Sequence, residues 1–193
     1  SGHTVSTPED NIEEMEEMIE VLNKKTDYQV LLKVHPFIYR KAEGNKKLKK
    51  YLVNDTFDTN ELLSIVDLLV TDYSSIFFDY LVTNKPIIFY TPDYEDYEEN
   101  RGFYLPVDSL PGPSVHSIET LVDTVNHHQN ILTQYNDNYR AYQQKFANYD
   151  DGHVTERVVN KVFNTTQQHK EKQQNRKERL LICLLYTSLS ALA

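Results

Sequence analysis

Glycine and cysteine are both scarce in this 193-residue chain, with five of the first and one of the second. Each scarcity excludes chemistry. No two of the glycines (Gly2, Gly44, Gly102, Gly112, Gly152) lie within eight residues of each other. Neither a G-x-x-x-x-G-K-[ST] phosphate loop nor a G-x-G-x-x-G dinucleotide turn can therefore be built, and any phosphate must be held another way. Cys183 alone makes no internal disulfide framework and no cysteine zinc knuckle, which fits a reducing compartment. Positive charge is also short, with 20 Lys and Arg against 29 Asp and Glu and a formal charge of −9. That balance argues against bulk nucleic-acid binding. Neither H-E-x-x-H nor Asp-x-Asp occurs, so no spacing points to a metal. Asp123 and His127, four apart on one helix face, read as a solvated face before an ion site. Residues Ser1 to Ser6 carry no signal-peptide apolar core and the chain does not begin with Met, which reads as a fragment.

What is present is the composition of a globular chain of one domain's length, or one lobe of something larger, with 39% hydrophobic and 25% charged residues. Thr7, Pro8, Glu9 and Asp10 read as a helix start, and Ile12, Met15, Ile19 and Leu22 share a face, predicting a helix from Pro8 to Lys24. Tyr28 to Val34 reads as a strand buried on both faces, ending in a loop at His35 and Pro36. A basic segment from Arg40 to Lys50 follows, then a short strand at Tyr51 to Val53 and a helix capped by Asp58 and running through Val66. Leu68 to Val70 is the next strand, followed by a helix to about Val82 and a strand at Pro86 to Tyr90. The alternation predicts an α/β fold, a Rossmann-like parallel sheet with helices on both faces. Four prolines and a run of acids make Thr91 to Ser114 a long loop. Helices are expected at Ser117 to Gln129, Ile131 to Ala147 and Val154 to Gln168.

The tail is set apart from this fold. Residues 171–193 read as a polar linker and an abruptly apolar end, resembling a vector or assembly scar, with an interfacial anchor as the other reading. The folded lobe is then residues 1–170.

Several residues are candidates for chemistry. His35 ends a buried strand, where the carboxyl ends of a parallel sheet face the ligand crevice. There it can protonate a leaving phosphate, accept a proton from an attacking hydroxyl, or hydrogen-bond a pyrophosphate; the structural alternative is a bond to a nearby carbonyl. Thr71, Asp72, Tyr73, Ser74 and Ser75 occupy the same position one unit later, where amides and hydroxyls make an anion site without glycine or lysine. Simple helix capping by Ser74 is the alternative there. Asp79 either faces this turn or, as the favoured reading, pairs with Lys85. Arg101, at the end of the acidic loop, can clamp a phosphate or neutralise the acids before it. Lys33 can add positive potential. The lysines at 46, 47, 49 and 50 read as a solvated surface around a helix, with attraction to acidic lipid or a polyanion as the alternative.

In order and spacing over residues 28–160, the chain resembles the CDP-glycerol glycerophosphotransferases, including the glycerol-phosphate primases and polymerases of teichoic acid synthesis. The matching residues are Lys33, His35 and Pro36; Asp58, Asn60, Leu62, Leu63 and Asp67; Thr71 to Ser75 with Phe78, Asp79 and Tyr80; Lys85, Pro86, Phe89 and Tyr90. They continue through Asp93, Tyr97, Arg101, Gly102, Tyr104, Pro111 and Gly112 to Asp151, Gly152, Thr155 and Arg157. The resemblance implies the C-terminal, donor-binding lobe of a GT-B fold, with the N-terminal acceptor lobe missing from this chain. It implies transfer of glycerol phosphate from CDP-glycerol, or a related CDP-polyol such as CDP-ribitol, to a hydroxyl of a lipid-linked acceptor, with release of CMP. The setting it implies is the cytoplasmic face of the plasma membrane, reached peripherally through the missing part. His35 then matches the catalytic histidine of a K-x-H-P motif. Thr71, Ser74 and Ser75 match the donor-phosphate turn, and Arg101 a phosphate-contacting arginine, with Lys33, Asp72 and Asp79 in support. The family's second histidine lies in the other lobe, so the fragment is expected to bind better than it catalyses. No cofactor is required by the sequence, which leaves a divalent ion open, and no nucleic-acid partner is expected. The rival readings are a nucleotide-sugar glycosyltransferase lobe of the same architecture, and a non-catalytic nucleotide-binding fragment.

Overall fold

The computed structural model describes residues 8–72, 74–92, 94, 107–163 and 182–186. Helix α1 (Pro8–Lys25) has Lys24 and Lys25 in its last turn, where cations complement the dipole. Met15, Met18, Ile19 and Leu22 are fully buried, and burial of such a side chain is worth about 1.5–3 kcal/mol. Strand β1 (Val30–Val34) follows, and then, in place of the expected loop, helix α2 (Pro36–Gly44). Pro at the first helical position and His35 as the cap start it, and Ile38 and Ala42, four apart, bury its inner face.

The chain then turns from Asn45 to Tyr51 without forming a helix, and Leu52 makes one parallel bridge to Leu32. Helix α3 (Thr59–Ile65) is capped by Asp58, whose Oδ1 accepts from Glu61 N–H at 3.0 Å. Strand β2 (Leu68–Thr71), helix α4 (Ile76–Tyr80) with a tighter turn at Leu81–Thr83, and strand β3 (Ile87–Tyr90) come next.

Strand β4 (Ser114–Val115) is only two residues long. It is reached through Gly112, where a Cβ would stand 2.0 Å from the carbonyl oxygen of Ile87. That contact explains the glycine, because the segment must run against the start of β3. Helix α5 (Ile118–Asn126) is capped by Ser117. The expected long helix from Ile131 is broken at Tyr135 into α6 (Ile131–Gln134) and α7 (Asn136–Phe146), and α8 (Val154–Phe163) ends the main run.

Among the described residues the five strands are parallel, in the order β1, β5, β2, β3, β4, where β5 is Ile182–Tyr186. The apolar tail set aside in the sequence reading therefore supplies the middle strand. Its backbone pairs with β1 along one edge and with β2 along the other.

Side chains alternate between two cores. Val30, Leu32, Val34, Leu68, Val70 and Ile88 pack under α1, α2 and α5, while Leu69, Ile87 and Phe89 pack under α3, α4 and α7. The chain thus changes faces between α2 and α3, on its way from β1 to β2. In an open parallel sheet the ligand crevice lies outside the carboxyl ends of the strands. Among the described residues no helix is long and apolar enough to cross a membrane.

Candidate functional site

The carboxyl ends of β1 and β2 carry the residues singled out by sequence. Lys33 and Thr71 both lie level with Leu185 of β5, so they stand on one row of the sheet. With neighbouring strands about 4.8 Å apart, that row is roughly 10 Å wide from β1 to β2. Both side chains fall on the face that α3 and α4 cover, by alternation from Leu32 and Val70.

His35 follows two residues beyond Lys33 in extended backbone (φ −60°, ψ 142°), the conformation imposed by the following proline. It caps α2 with its ring: Phe37 N–H donates to His35 Nδ1 at 3.3 Å. That bond occupies Nδ1 and leaves Nε2 of the half-buried imidazole for any other contact. The carbonyl bond weighed as its structural alternative is not the contact Nδ1 makes. The Phe37 ring stacks on the imidazole at 5.0 Å and 24° and is 73% exposed. Sequence reasoning passed over Phe37, although an aromatic after His-Pro at a helix start was the available signal.

Lys33, expected to add positive potential, keeps its charge but binds the main chain. Its Nζ donates to three backbone carbonyls, those of Asn54 (3.0 Å), Asp55 (3.2 Å) and Phe57 (3.0 Å). An ammonium has three hydrogens, so all are committed. The side chain, 8% exposed, ties the 54–57 turn to the end of β1 and has no donor left for a phosphate.

At the end of β2, Asp72 is buried and its Oδ1 accepts from Ser74 N–H at 3.0 Å, while Ser74 Oγ accepts from Ile76 N–H at 3.4 Å. These two bonds fold the turn and leave Ser75 exposed at the start of α4, with no side-chain capping bond. Thr71 is 2% exposed, and among the described residues its hydroxyl oxygen meets no hydrogen-bonding partner. A buried polar group in that condition costs about 1–3 kcal/mol.

Asp79 is exposed. The expected pairing with Lys85 is replaced: Lys85 Nζ lies 3.4 Å from Asp67 Oδ1 and donates to Val66 O at 2.6 Å. The carbonyls at the end of α3 and the Asp67 carboxylate concentrate negative potential there, which draws the lysine away from α4. Arg101, Tyr73, Asp93, Tyr97, Gly102 and Tyr104 lie outside the described residues.

One polar cluster near these ends was not read from sequence. His116, just past β4, approaches Thr91 O with Nδ1 at 2.7 Å, and Thr91 Oγ1 is 3.0 Å from Ser114 Oγ. A two-residue strand leaves no period to recognise, so the position of His116 at a strand end was hidden. Asp123 and His127 make an exposed i,i+4 pair at 3.3 Å. Among the described residues no group of three or more His, Cys, Asp or Glu is arranged to hold a metal.

Comparison with known proteins adds one family profile, two curated relatives and two solved structures. The profile of a family described as CDP-Glycerol:Poly(glycerophosphate) glycerophosphotransferase matches residues 8–164. The teichoic acid ribitol-phosphate polymerase TarL of Staphylococcus aureus is 36% identical over 148 residues, covering 72% of this chain and 25% of the relative. The teichoic acid glycerol-phosphate primase of Bacillus subtilis is 30% identical over 145 residues, covering 72% and 36%. The chain thus spans about a quarter to a third of the curated relatives it matches. Among solved structures, the wall teichoic acid polymerase TagF shares the fold at TM-score 0.55 and 20% identity, over 80% of this chain and 48% of that one. A TagF variant soaked with CDPG matches at TM-score 0.56 and 19% identity, over 84% and 50%.

Proposed function

The chain belongs to the CDP-glycerol:poly(glycerophosphate) glycerophosphotransferase family, and from that premise we propose that it is the donor-binding part of a teichoic acid polyol-phosphate transferase. The donor is CDP-glycerol or the closely related CDP-ribitol, as the names of the family and of its glycerol-phosphate and ribitol-phosphate relatives suggest. The acceptor is a hydroxyl of a lipid-linked chain, met at the cytoplasmic face of the membrane.

In the reaction, the acceptor hydroxyl gives up its proton as its oxygen bonds to the phosphorus bearing the polyol, the pyrophosphate bridge breaks, and CMP leaves with the bridging oxygen, the proton passing to CMP or to solvent. The demands on the protein are orientation and stabilisation of charge on phosphate oxygens. His35 is positioned for the second, its ring held by the Phe37 amide on Nδ1 and its backbone aimed by Pro36. That oriented imidazole at the carboxyl end of β1 is the observation that carries the reading: it suits a phosphate ligand or an acid–base group. Ser74 and Ser75, with Thr71, whose hydroxyl meets no partner among the described residues, offer further donors at the end of β2, two strands across the sheet from β1. Arg101 remains a proposed phosphate contact on the strength of the family resemblance.

The test is calorimetric titration of the full chain with CDP-glycerol, CDP-ribitol, UDP-glucose and CMP, repeated with His35→Ala and Ser74→Ala. Selective binding of a CDP-polyol, weakened about tenfold or more in both variants, is the expected outcome, since each removes a hydrogen bond to a charged group. Preference for UDP-glucose would replace this reading with a nucleotide-sugar glycosyltransferase.

A further inference from the structure

Outside the site, charge is distributed unevenly. Residues 40–50 hold six basic side chains (Arg40, Lys41, Lys46, Lys47, Lys49, Lys50) against one acid, Glu43, in a chain whose formal charge is −9. The structure places this segment at the far end of α2 from His35. The helix has nine residues and is about 14 Å long at 1.5 Å per residue. Its exposed side carries Phe37, Arg40, Lys41 and Gly44, spaced i, i+3, i+4 and i+7, which is one face. That face starts beside the stacked His35–Phe37 pair, and the turn that carries Lys46, Lys47, Lys49 and Lys50 follows its other end in the chain.

The segment is built rather than loose. Asn45 Oδ1 accepts from Lys47 N–H (2.9 Å) and Leu48 N–H (3.2 Å), and Asn45 Nδ2 donates to Glu16 on α1. Glu16 also receives Lys47 Nζ at 2.7 Å, and these two hydrogen bonds hold its carboxyl below the usual range. Glu16, Glu20, Lys24, Lys47 and Lys50 line a cleft of about 360 Å³ between α1 and the turn, in which Lys24 pairs with Glu20 and Lys47 with Glu16. Among the described residues no carboxylate pairs with Arg40, Lys46 or Lys49, all of them exposed.

The apolar residues of the segment, Ala42 and Leu48, are both fully buried. A surface that inserts into lipid shows several apolar side chains beside its lysines; this one shows Phe37 at its His35 end and none between Lys41 and Lys50. What it matches is a flexible chain of regularly spaced negative charges in water.

We propose that the stripe along α2 and the 45–50 turn is a docking site for the polyanionic polyol-phosphate chain itself, separate from the donor site and leading up to His35. This rests on the transferase reading for its choice of polymer, which is the one that the family description names, poly(glycerophosphate). The stripe holds the growing chain near the reaction centre after each transfer, so its effect is on polymer affinity and not on donor affinity.

The experiment uses the full chain, a synthetic glycerol-phosphate oligomer of about 20 units carrying a fluorophore, and anisotropy at several salt concentrations. The stripe variant Arg40→Gln/Lys46→Gln/Lys49→Gln is compared with a variant of equal net charge, Arg140→Gln/Lys145→Gln/Lys161→Gln. The stripe variant is expected to bind the oligomer about tenfold more weakly, with the log–log salt slope shallower by about 2, as loss of three phosphate contacts requires. The control variant stays within twofold of the parent, glycerol 3-phosphate does not compete, and donor affinity is the same in all three proteins. Failure of the parent to bind the oligomer, or equal losses in both variants, overturns the proposal. So does a stripe variant that keeps oligomer binding but no longer floats with phosphatidylglycerol vesicles, because the surface then faces lipid. If the oligomer binds through the stripe while no CDP-polyol binds, the donor assignment falls and the polyanion site stands.

Discussion

Lys33 shows how a residue that looks like a phosphate ligand is spent on architecture. Three carbonyl oxygens surround its ammonium without a carboxylate, and such charge-assisted bonds are the strong ones. Lys33→Met keeps the buried stem and leaves those carbonyls unpaired, so unfolding in urea is expected to show a loss of about 2–3 kcal/mol. An unchanged midpoint would mean the turn at 54–57 is held by other contacts. Asp151 offers a pH-dependent counterpart. Arg157 Nη1 bridges both its oxygens at 2.8 and 2.6 Å, and His153 N–H adds a third bond. The Arg157 guanidinium foremost pulls the carboxyl from its usual 3.8 down to about 2. Because the folded value lies below the unfolded one, the stabilising effect is complete above about pH 4 and disappears as pH falls towards 2. The carboxyl resonance of Asp151, followed by NMR, should titrate in that window, and Arg157→Gln should return it to the ordinary range.

At the scale of elements, the close approach of the 111–113 segment to β3 is the tightest demand on sequence. Gly112→Ala puts a methyl group 2.0 Å from Ile87 O, and backbone on one side cannot yield as a side chain would. The expected cost is about 1–3 kcal/mol, visible as a lowered thermal midpoint, with the greatest loss of amide protection at Phe89 and Thr91, whose N–H groups donate to Pro113 and Val115. Elements with a strong local signature were legible beforehand: α1 by its apolar spacing, α3 by Asp58, and β1 to β3 by dense Val, Leu and Ile runs. Helix α2 was not, because His-Pro was read as the end of order when Pro36 in fact occupies the first helical position. Of the site, the turn after β2 was legible as a polar break between strand and helix. The role of Lys33 was not, since its partners are main-chain carbonyls, which carry no signature in the sequence. Lys85 misled for a related reason: the end of α3, not Asp79, is where its charge is best received.

On the scale of the whole molecule, the sheet depends on a strand supplied by residues 182–186, paired with β1 on one edge and β2 on the other. Nothing in the sequence ties that segment to its partners, because pairing in a buried parallel sheet asks only for apolar side chains and a free backbone. Truncation after Phe163 removes it, and the thermal transition is expected to fall and broaden. An unaltered transition would return the tail to the status of an appendage. The position of β5 also dictates an order of events as the chain is made. Residues of β1 and of the β2–β3–β4 block emerge first, yet they cannot join until the last strand arrives, so two bare edges face each other in the meantime. Pairings between such distant parts of a chain form slowly, and open edges are where chains stick to one another. Refolding of this protein should therefore be slow and sensitive to its own concentration, with aggregation competing until β5 closes the gap.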